Sequence, residues 1–197
     1  TWRGNEGLAV GAGRLTADAK GSIALVEPCA WTVTRLPGQL TFQTRQAAAG
    51  FSYELSRRVE LLDRTVSSWS QLTNVGEEAL RLQWFAHPFW PLTAGRARVG
   101  LLAGSTLPEN PGFAIAADGA LTLRRPFLTP EDHQFALLTL PTGRELSVSV
   151  DHPRLAGVTC TTGFVPDECP VWANAHTISV EPYLSLTLAP GATRHWS

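Results

Sequence analysis

A chain of 197 residues with 44% hydrophobic and 17% charged residues has the composition of a folded globular protein, which excludes an intrinsically disordered one. The formal net charge of −1, with basic residues in scattered pairs, gives no electrostatic basis for binding nucleic acid or an anionic membrane. No apolar run approaches the roughly 18 residues that a membrane-spanning helix needs. The length predicts one domain over residues 1–197.

The chain contains three cysteines, Cys29, Cys160 and Cys169. An odd number without CxxC spacing is untypical of a zinc site or a disulfide framework. We therefore expect reduced, packed thiols and a cytoplasmic location, with a bridge between Cys160 and Cys169 as the alternative. No histidine has partners at metal-ligand spacing, and neither a GxSxG elbow nor a Gly-rich phosphate loop is present. The sequence thus predicts neither a metal site nor a cofactor.

Most of the patterned stretches of the sequence are short runs in which apolar and polar residues alternate. In chain order they cover residues 40–43, 53–61, 65–72, 80–85, 113–115, 121–123, 135–140, 145–150, 177–180 and 184–188. They are rich in Val, Leu, Thr and aromatic residues, and Gly, Pro, Asn and Asp separate them, which is typical of strands joined by turns. The pattern predicts an antiparallel all-β sandwich or barrel.

Turn-forming residues lie between these runs, at Asn74-Val75-Gly76, Asn110-Pro111-Gly112, Asp118-Gly119 and Pro141-Thr142-Gly143. Asp118-Gly119 is the clearest hairpin, because it lies between two strand-like runs and Asp-Gly favours the tight turn that a hairpin needs.

Two stretches depart from the alternation. Residues 128–135 could form one helical turn, with Thr129 as N-cap and Pro130 in the first position. Residues 151–175 have the weakest strand pattern and contain Pro, Gly, Asn and two Cys. We predict a long loop there, which is either functional or a plain surface excursion.

His87 is the first candidate for chemistry. In strict alternation it shares the more polar face of its strand with Gln83 and Phe85, while Pro88 interrupts the strand directly after it. A histidine titrates near neutral pH, so it can donate a proton to a polar ligand. The alternative is a strand-end histidine that only bonds a backbone carbonyl.

Glu181 is the second candidate. It follows the apolar run at 177–180 and precedes Pro182, so its carboxylate is expected to be poorly solvated and suited to a general base. The alternative is a glutamate that faces water. His176 lies five residues earlier and is a further polar candidate for the same place.

The chain is rich in tryptophan, with five residues in or near the patterned runs: Trp31, Trp69, Trp84, Trp90 and Trp172. Indole faces pack on the apolar face of sugar rings, so tryptophan in a groove suits a small-molecule carbohydrate. Most must be core residues, and we expect at most two beside a ligand. Trp90 and Phe89 are the aromatic candidates beside His87.

Several short motifs, in order over nearly the whole chain, resemble the galactose mutarotase (aldose 1-epimerase) superfamily. They are Trp31-Thr32-Val33, Tyr53-Glu54-Leu55, Leu72-Thr73-Asn74-Val75-Gly76, His87-Pro88-Phe89-Trp90, Glu181-Pro182 and Leu188-Ala189-Pro190-Gly191. The resemblance implies the supersandwich fold of that superfamily. The chain is shorter than typical members, which leaves open a sandwich shortened at its N-terminus.

The resemblance also implies roles for individual residues. His87 would be the general acid that protonates the ring oxygen of an aldose, and Glu181 the general base that takes the proton of the anomeric hydroxyl. The ring then opens and recloses without a cofactor, which exchanges the anomers. Arg14 is the candidate for the family's substrate-binding arginine, with Arg3 as the alternative.

A second function stays open beside the epimerase. Active members carry another histidine upstream of the W-x-V strand, and this chain has none before His87. A non-catalytic carbohydrate-binding or interaction domain on the same fold is therefore the alternative. The exposed edge strands of such a fold are usually paired or covered. A homodimer is one way to cover them.

Overall fold

The computed structural model describes residues 1–92, 98–151 and 157–197. These residues contain 20 strands. None of the described residues belongs to a helix, and accordingly no helix that could cross a membrane is found among them.

The chain divides into two compact units. The first combines Thr1–Leu82 with Ser185–Ser197, and the second is Gln83–Leu184. The single domain over 1–197 stays a prediction. Two strands, β9 (Leu80–Phe85) and β19 (Tyr183–Leu188), pair with each other, and the division between the units falls inside each of them.

Two antiparallel sheets make up the first unit. One contains β1 (Trp2–Arg3), β2 (Glu6–Ala9), β3 (Gly13–Ala17) and β4 (Ile23–Pro28), in chain order. The other contains β5 (Thr32–Leu36), β6 (Gln39–Ala48), β7 (Phe51–Leu62), β8 (Thr65–Asn74) and β20 (Thr193–Trp196), in the order β20-β8-β7-β6-β5. Successive side chains of β7 point to opposite faces of the sheet, so Tyr53 and Leu55 are buried and Glu54 between them is exposed.

Asn74 ends β8 and organises the turn predicted there. Its side-chain amide donates to the carbonyls of Glu78, at 2.8 Å, and Leu188, at 2.9 Å, while its Oδ1 accepts from the amide of Gly76 at 3.0 Å. The turn does not form a hairpin, because β8 pairs with β7 and β20, whereas β9 pairs with β19.

Two antiparallel sheets also make up the second unit. Its strands are β10 (Trp90–Pro91), β11 (Arg98–Gly100), β12 (Phe113–Ile115), β13 (Ala120–Leu123), β14 (His133–Leu137), β15 (Ser147–Val150), β16 (Val158–Thr161), β17 (Pro170–Asn174) and β18 (Thr177–Val180). The orders are β10-β18-β17-β14 and β12-β13-β11-β15-β16. Buried side chains of both sheets, including Val99, Phe113, Val148, Val171 and Ile178, form one core. The predicted antiparallel all-β sandwich is confirmed.

The predicted hairpin at Asp118-Gly119 is present between β12 and β13. Gly119 has a φ of +83°, a left-handed conformation that a residue without a Cβ adopts without strain. The amide of Ala120 donates to the Asp118 carboxylate at 3.2 Å, so the aspartate also fixes the turn.

Two expectations need correction. Residues 128–132 form a turn and no helix, because Asp132 pairs with Arg125 and accepts from the amide of Leu128, and the rest of the stretch belongs to β14, which begins at His133. Residues 151–175 are not one long loop. They contain β16 and β17, which pair with β15 and β14, while residues 152–156 lie outside the described part.

Candidate functional site

His87 and Glu181, the predicted acid and base, are in contact within the second unit. The Nε2 atom of His87 lies 3.4 Å from Oε1 of Glu181. Its other ring nitrogen, Nδ1, lies 3.2 Å from Oγ of Ser179. The imidazole is 38% exposed, whereas the Glu181 side chain is only 9% exposed, so an accessible ring covers a buried carboxylate.

The local strand geometry explains this placement. Ser179 lies in β18 and Glu181 follows it by two residues, so both side chains leave the same face of the chain. The amide of Glu181 donates to the carbonyl of Pro170 at 2.8 Å, and the amide of Tyr183 donates to the carbonyl of Glu168 at 2.9 Å. These bonds hold the backbone on both sides of Pro182, which has no amide proton of its own.

The two partners let His87 exist in either protonation state without losing a hydrogen bond. An ionised Glu181 can only accept, so Nε2 carries a proton beside it. When the ring is neutral, Nδ1 accepts from the hydroxyl of Ser179. When the ring is protonated, Nδ1 donates to the same oxygen. The hydroxyl of Ser179 can therefore donate to Nδ1 or accept from it, whichever form the ring has.

Aromatic rings surround His87. Phe89 stacks on the imidazole with 4.2 Å between the ring centroids and 22° between the planes. Trp172 meets it edge-on at 6.4 Å, and Phe85 lies 5.7 Å away. Phe85 in turn stacks on Tyr183 at 4.4 Å. His87 and Glu181 thus lie beside flat apolar ring faces.

The other residues proposed for substrate binding have different positions. Phe89 is exposed beside His87, but Trp90 is buried in the core of the second unit and pairs with Ile178, on the opposite side of the sheet from Ser179. His176 is exposed in the turn before β18, at the opposite end of that strand from Glu181.

Arg14 belongs to the first unit, in β3. Its Nε atom lies 3.2 Å from Oε2 of Glu27 and its Nη1 atom 3.9 Å from Oε1 of Glu6. Two carboxylates therefore already neutralise the guanidinium.

Ser179, Trp172 and Tyr183 belong to the site but were not among its predicted residues. The signal for Ser179 was present, because it stands two residues before Glu181 in the same alternating run. For Trp172, only the pairing of β17 with β18, which sets Trp172 opposite Ser179, brings the indole to His87. Among the residues that the structure describes, no group of three or more His, Cys, Asp or Glu could hold a metal ion.

The three cysteines are free thiols, and Cys169 lies near the acid–base pair. Burial, together with the nearby charge of Glu181, raises the pKa of Cys169 to about 12. We expect Cys169 to resist iodoacetamide at pH 8 in the folded protein, because only the thiolate reacts. In denaturant it should react as Cys29 does. Peptide mapping by mass spectrometry measures this, and rapid native labelling of Cys169 would show that the buried arrangement opens.

No protein-family model matches the sequence, and no curated protein matches it. Solved structures do match. A galactose mutarotase-like protein from Lactobacillus casei is 17% identical, with 97% of this chain and 78% of that one covered and a TM-score of 0.60. A galactose mutarotase related enzyme from Lactobacillus acidophilus is 12% identical, with coverage of 89% and 74% and a TM-score of 0.62.

A candidate aldose 1-epimerase from Escherichia coli K12 is 14% identical, with 98% of this chain and 77% of that one covered and a TM-score of 0.60. At such low identity the likeness concerns the fold alone. It confirms the resemblance at that level: the chain has the galactose mutarotase-like fold.

Proposed function

We propose that this protein is an aldose 1-epimerase-like isomerase, which interconverts the anomers of a free or modified aldose. The observation that carries the proposal is the contact of His87 with Glu181 at 3.4 Å on a partly exposed, aromatic-lined surface. The names of the structural neighbours agree with this chemistry, since they include a galactose mutarotase related enzyme and a candidate aldose 1-epimerase.

In the proposed reaction the starting state is the ion pair of a protonated His87 and an ionised Glu181. Glu181 takes the proton of the anomeric hydroxyl, while His87 gives a proton to the ring oxygen, and the bond between C1 and that oxygen breaks. After the open-chain aldehyde rotates, both proton transfers reverse and the ring closes on the other face of the carbonyl. The pair returns to its starting state, so no co-reactant is needed.

The direct contact between the two side chains has a consequence for binding. Nε2 faces Glu181 and is the atom that must reach the ring oxygen, so the sugar has to replace the contact between Nε2 and Oε1. The proposal therefore requires the partly exposed imidazole to turn away from Glu181 when the sugar binds. Ser179 keeps its bond to Nδ1 and holds the ring oriented while this happens.

A non-catalytic carbohydrate-binding domain is the second candidate. It is favoured by one observation, namely that both ring nitrogens of His87 already have partners within the protein. The same surface would then bind a sugar without exchanging its anomers.

Anomer exchange measured by NMR on a panel of aldoses and aldose phosphates tests the proposal. We expect the wild type to accelerate exchange and His87→Ala to lose about 10²- to 10⁴-fold, the usual contribution of a positioned acid. His195→Ala removes an exposed histidine of β20 and should change nothing. Sugar binding without exchange by the folded wild type would favour the binding domain instead.

A further inference from the structure

The outer face of the sheet β10-β18-β17-β14 carries a row of aromatic side chains that begins beside His87 and continues away from it. Phe135 in β14 is directly paired with Trp172 in β17, and Trp172 with Ser179 in β18. Paired residues in neighbouring strands share a face. The row therefore runs from His87 and Ser179 across Trp172 to Phe135, and β14 is the terminal strand of this sheet.

Phe135 is 60% exposed, whereas its neighbours Gln134 and Ala136 on the same strand are buried. Alternation explains why Phe135 faces outward but not why that position is aromatic. Single exposed apolar residues are common, but Phe135 lies directly opposite the half-buried Trp172 in the neighbouring strand, so the two rings extend one apolar patch.

Polar side chains flank the aromatic row. His133 and Asn174 are paired with each other two residues from Phe135 and Trp172, on the same face. Oδ1 of Asn174 accepts from the amides of His176 and Thr177, and Nδ1 of His133 lies 3.3 Å from the carbonyl of Glu131. The other polar atoms, Nδ2 of Asn174 and Nε2 of His133, are the ones that would face a ligand. Flat apolar rings with hydrogen-bonding groups alongside match a sugar, whose C–H face is apolar and whose hydroxyls project from the rim of its ring.

The length of the row decides between one sugar unit and several. Ser179 and Phe135 are separated by two strand spacings, which is about 10 Å. A single pyranose covers about one of these spacings, so a sugar unit held at His87 cannot also cover Phe135.

We propose that Trp172 and Phe135 form a second subsite, so that the natural substrate is an oligosaccharide whose reducing end lies at His87 and Glu181. This inference rests on the function proposed above and specifies its substrate class. The reducing-end unit undergoes anomer exchange, and the next units along the chain stack on Trp172 and Phe135.

The test compares D-glucose and D-galactose with cellobiose, lactose, maltose and their trisaccharides. Anomer exchange gives kcat and KM, and NMR titration gives Kd without requiring turnover. We expect the best oligosaccharide to have a KM about 3- to 10-fold lower than its monosaccharide, the gain of one or two ring contacts. Phe135→Ala should remove this gain, leaving kcat and the monosaccharide KM unchanged.

Two further variants separate stacking from general damage. Phe135→Tyr keeps the ring and should keep the gain. Val158→Ala removes exposed apolar surface from β16, in the other sheet of the same unit, and should have no effect.

Equal KM values for mono- and oligosaccharides, insensitive to Phe135→Ala, would overturn the second subsite and leave the epimerase intact. Oligosaccharide binding that Phe135→Ala weakens, without exchange of any sugar, would support the subsite and contradict the epimerase. Neither binding nor exchange by the folded protein would overturn both.

Discussion

Glu181→Gln is expected to lower the rate of anomer exchange about 10²- to 10⁴-fold, because the amide cannot take the proton of the anomeric hydroxyl. The substitution keeps the size and shape of the side chain, and its amide oxygen can still accept from Nε2 of His87. Binding of the sugar should therefore change little. Exchange spectroscopy gives the rate, and titration of the same sugar gives the affinity.

The stability of this variant is the more informative half of the experiment. The Glu181 side chain is 9% exposed, and a buried carboxylate costs solvation free energy that a single imidazole contact offsets only in part. We expect the free energy of unfolding of Glu181→Gln to equal or exceed that of the wild type. That outcome would indicate that the carboxylate is retained at the expense of stability, as expected of a catalytic group.

Glu145→Gln is the matched control, since Glu145 is exposed and lies in the same unit. It should alter neither exchange nor stability. A marked loss of stability in Glu181→Gln would assign the carboxylate a structural role and contradict its assignment as the base.

Asn74→Ala is expected to destabilise the protein by about 2–4 kcal/mol. The side chain is fully buried and makes three hydrogen bonds, two as donor and one as acceptor. Alanine leaves the carbonyl of Leu188 without this partner in a buried setting, and an unmade buried bond costs more than a made one contributes. The turn after β8 would also lose the side chain that fixes it.

Urea unfolding of the variant, followed by circular dichroism, measures the loss. Asn5→Ala serves as control, because the Asn5 side chain is exposed in the same unit, and it should shift the free energy of unfolding by less than about 0.5 kcal/mol. A similarly small effect for Asn74→Ala would mean that the three bonds are replaced by other contacts.

Alternation in the sequence was enough to predict strands that have one buried face. The run at 177–180 coincides with β18, and the run at 53–61 lies within β7. β17 was not predicted, because its burial depends on pairing with strands that are distant in the sequence. It begins with Pro170 and follows Cys169, which look like loop residues, yet Val171 and Ala173 are fully buried once the strand pairs with β14 and β18.

The sequence predicted that His87 and Glu181 act together as an acid and a base with an aromatic residue beside them, but it did not predict Ser179 as the partner of the imidazole. His87 and Glu181 stood out because each is polar at the end of an apolar run, whereas Ser179 resembles any serine of an alternating strand. Trp90 was expected beside the ligand, but it pairs with Ile178 and thus belongs with the buried side chains. Which side chains face the site depends on the register between strands that are distant in the chain. The local sequence does not specify that register.

The hydrogen bonds between β8 and β20 have a consequence for the order in which the protein can fold during synthesis. β20 pairs with β8 through Thr193–Trp196, and it is translated only after the whole of the second unit. The second unit is one contiguous stretch, so all of its strands are synthesised before β20, and domains generally fold as units. The first unit must wait with one edge of β8 open, so its folding is expected to be the slower step.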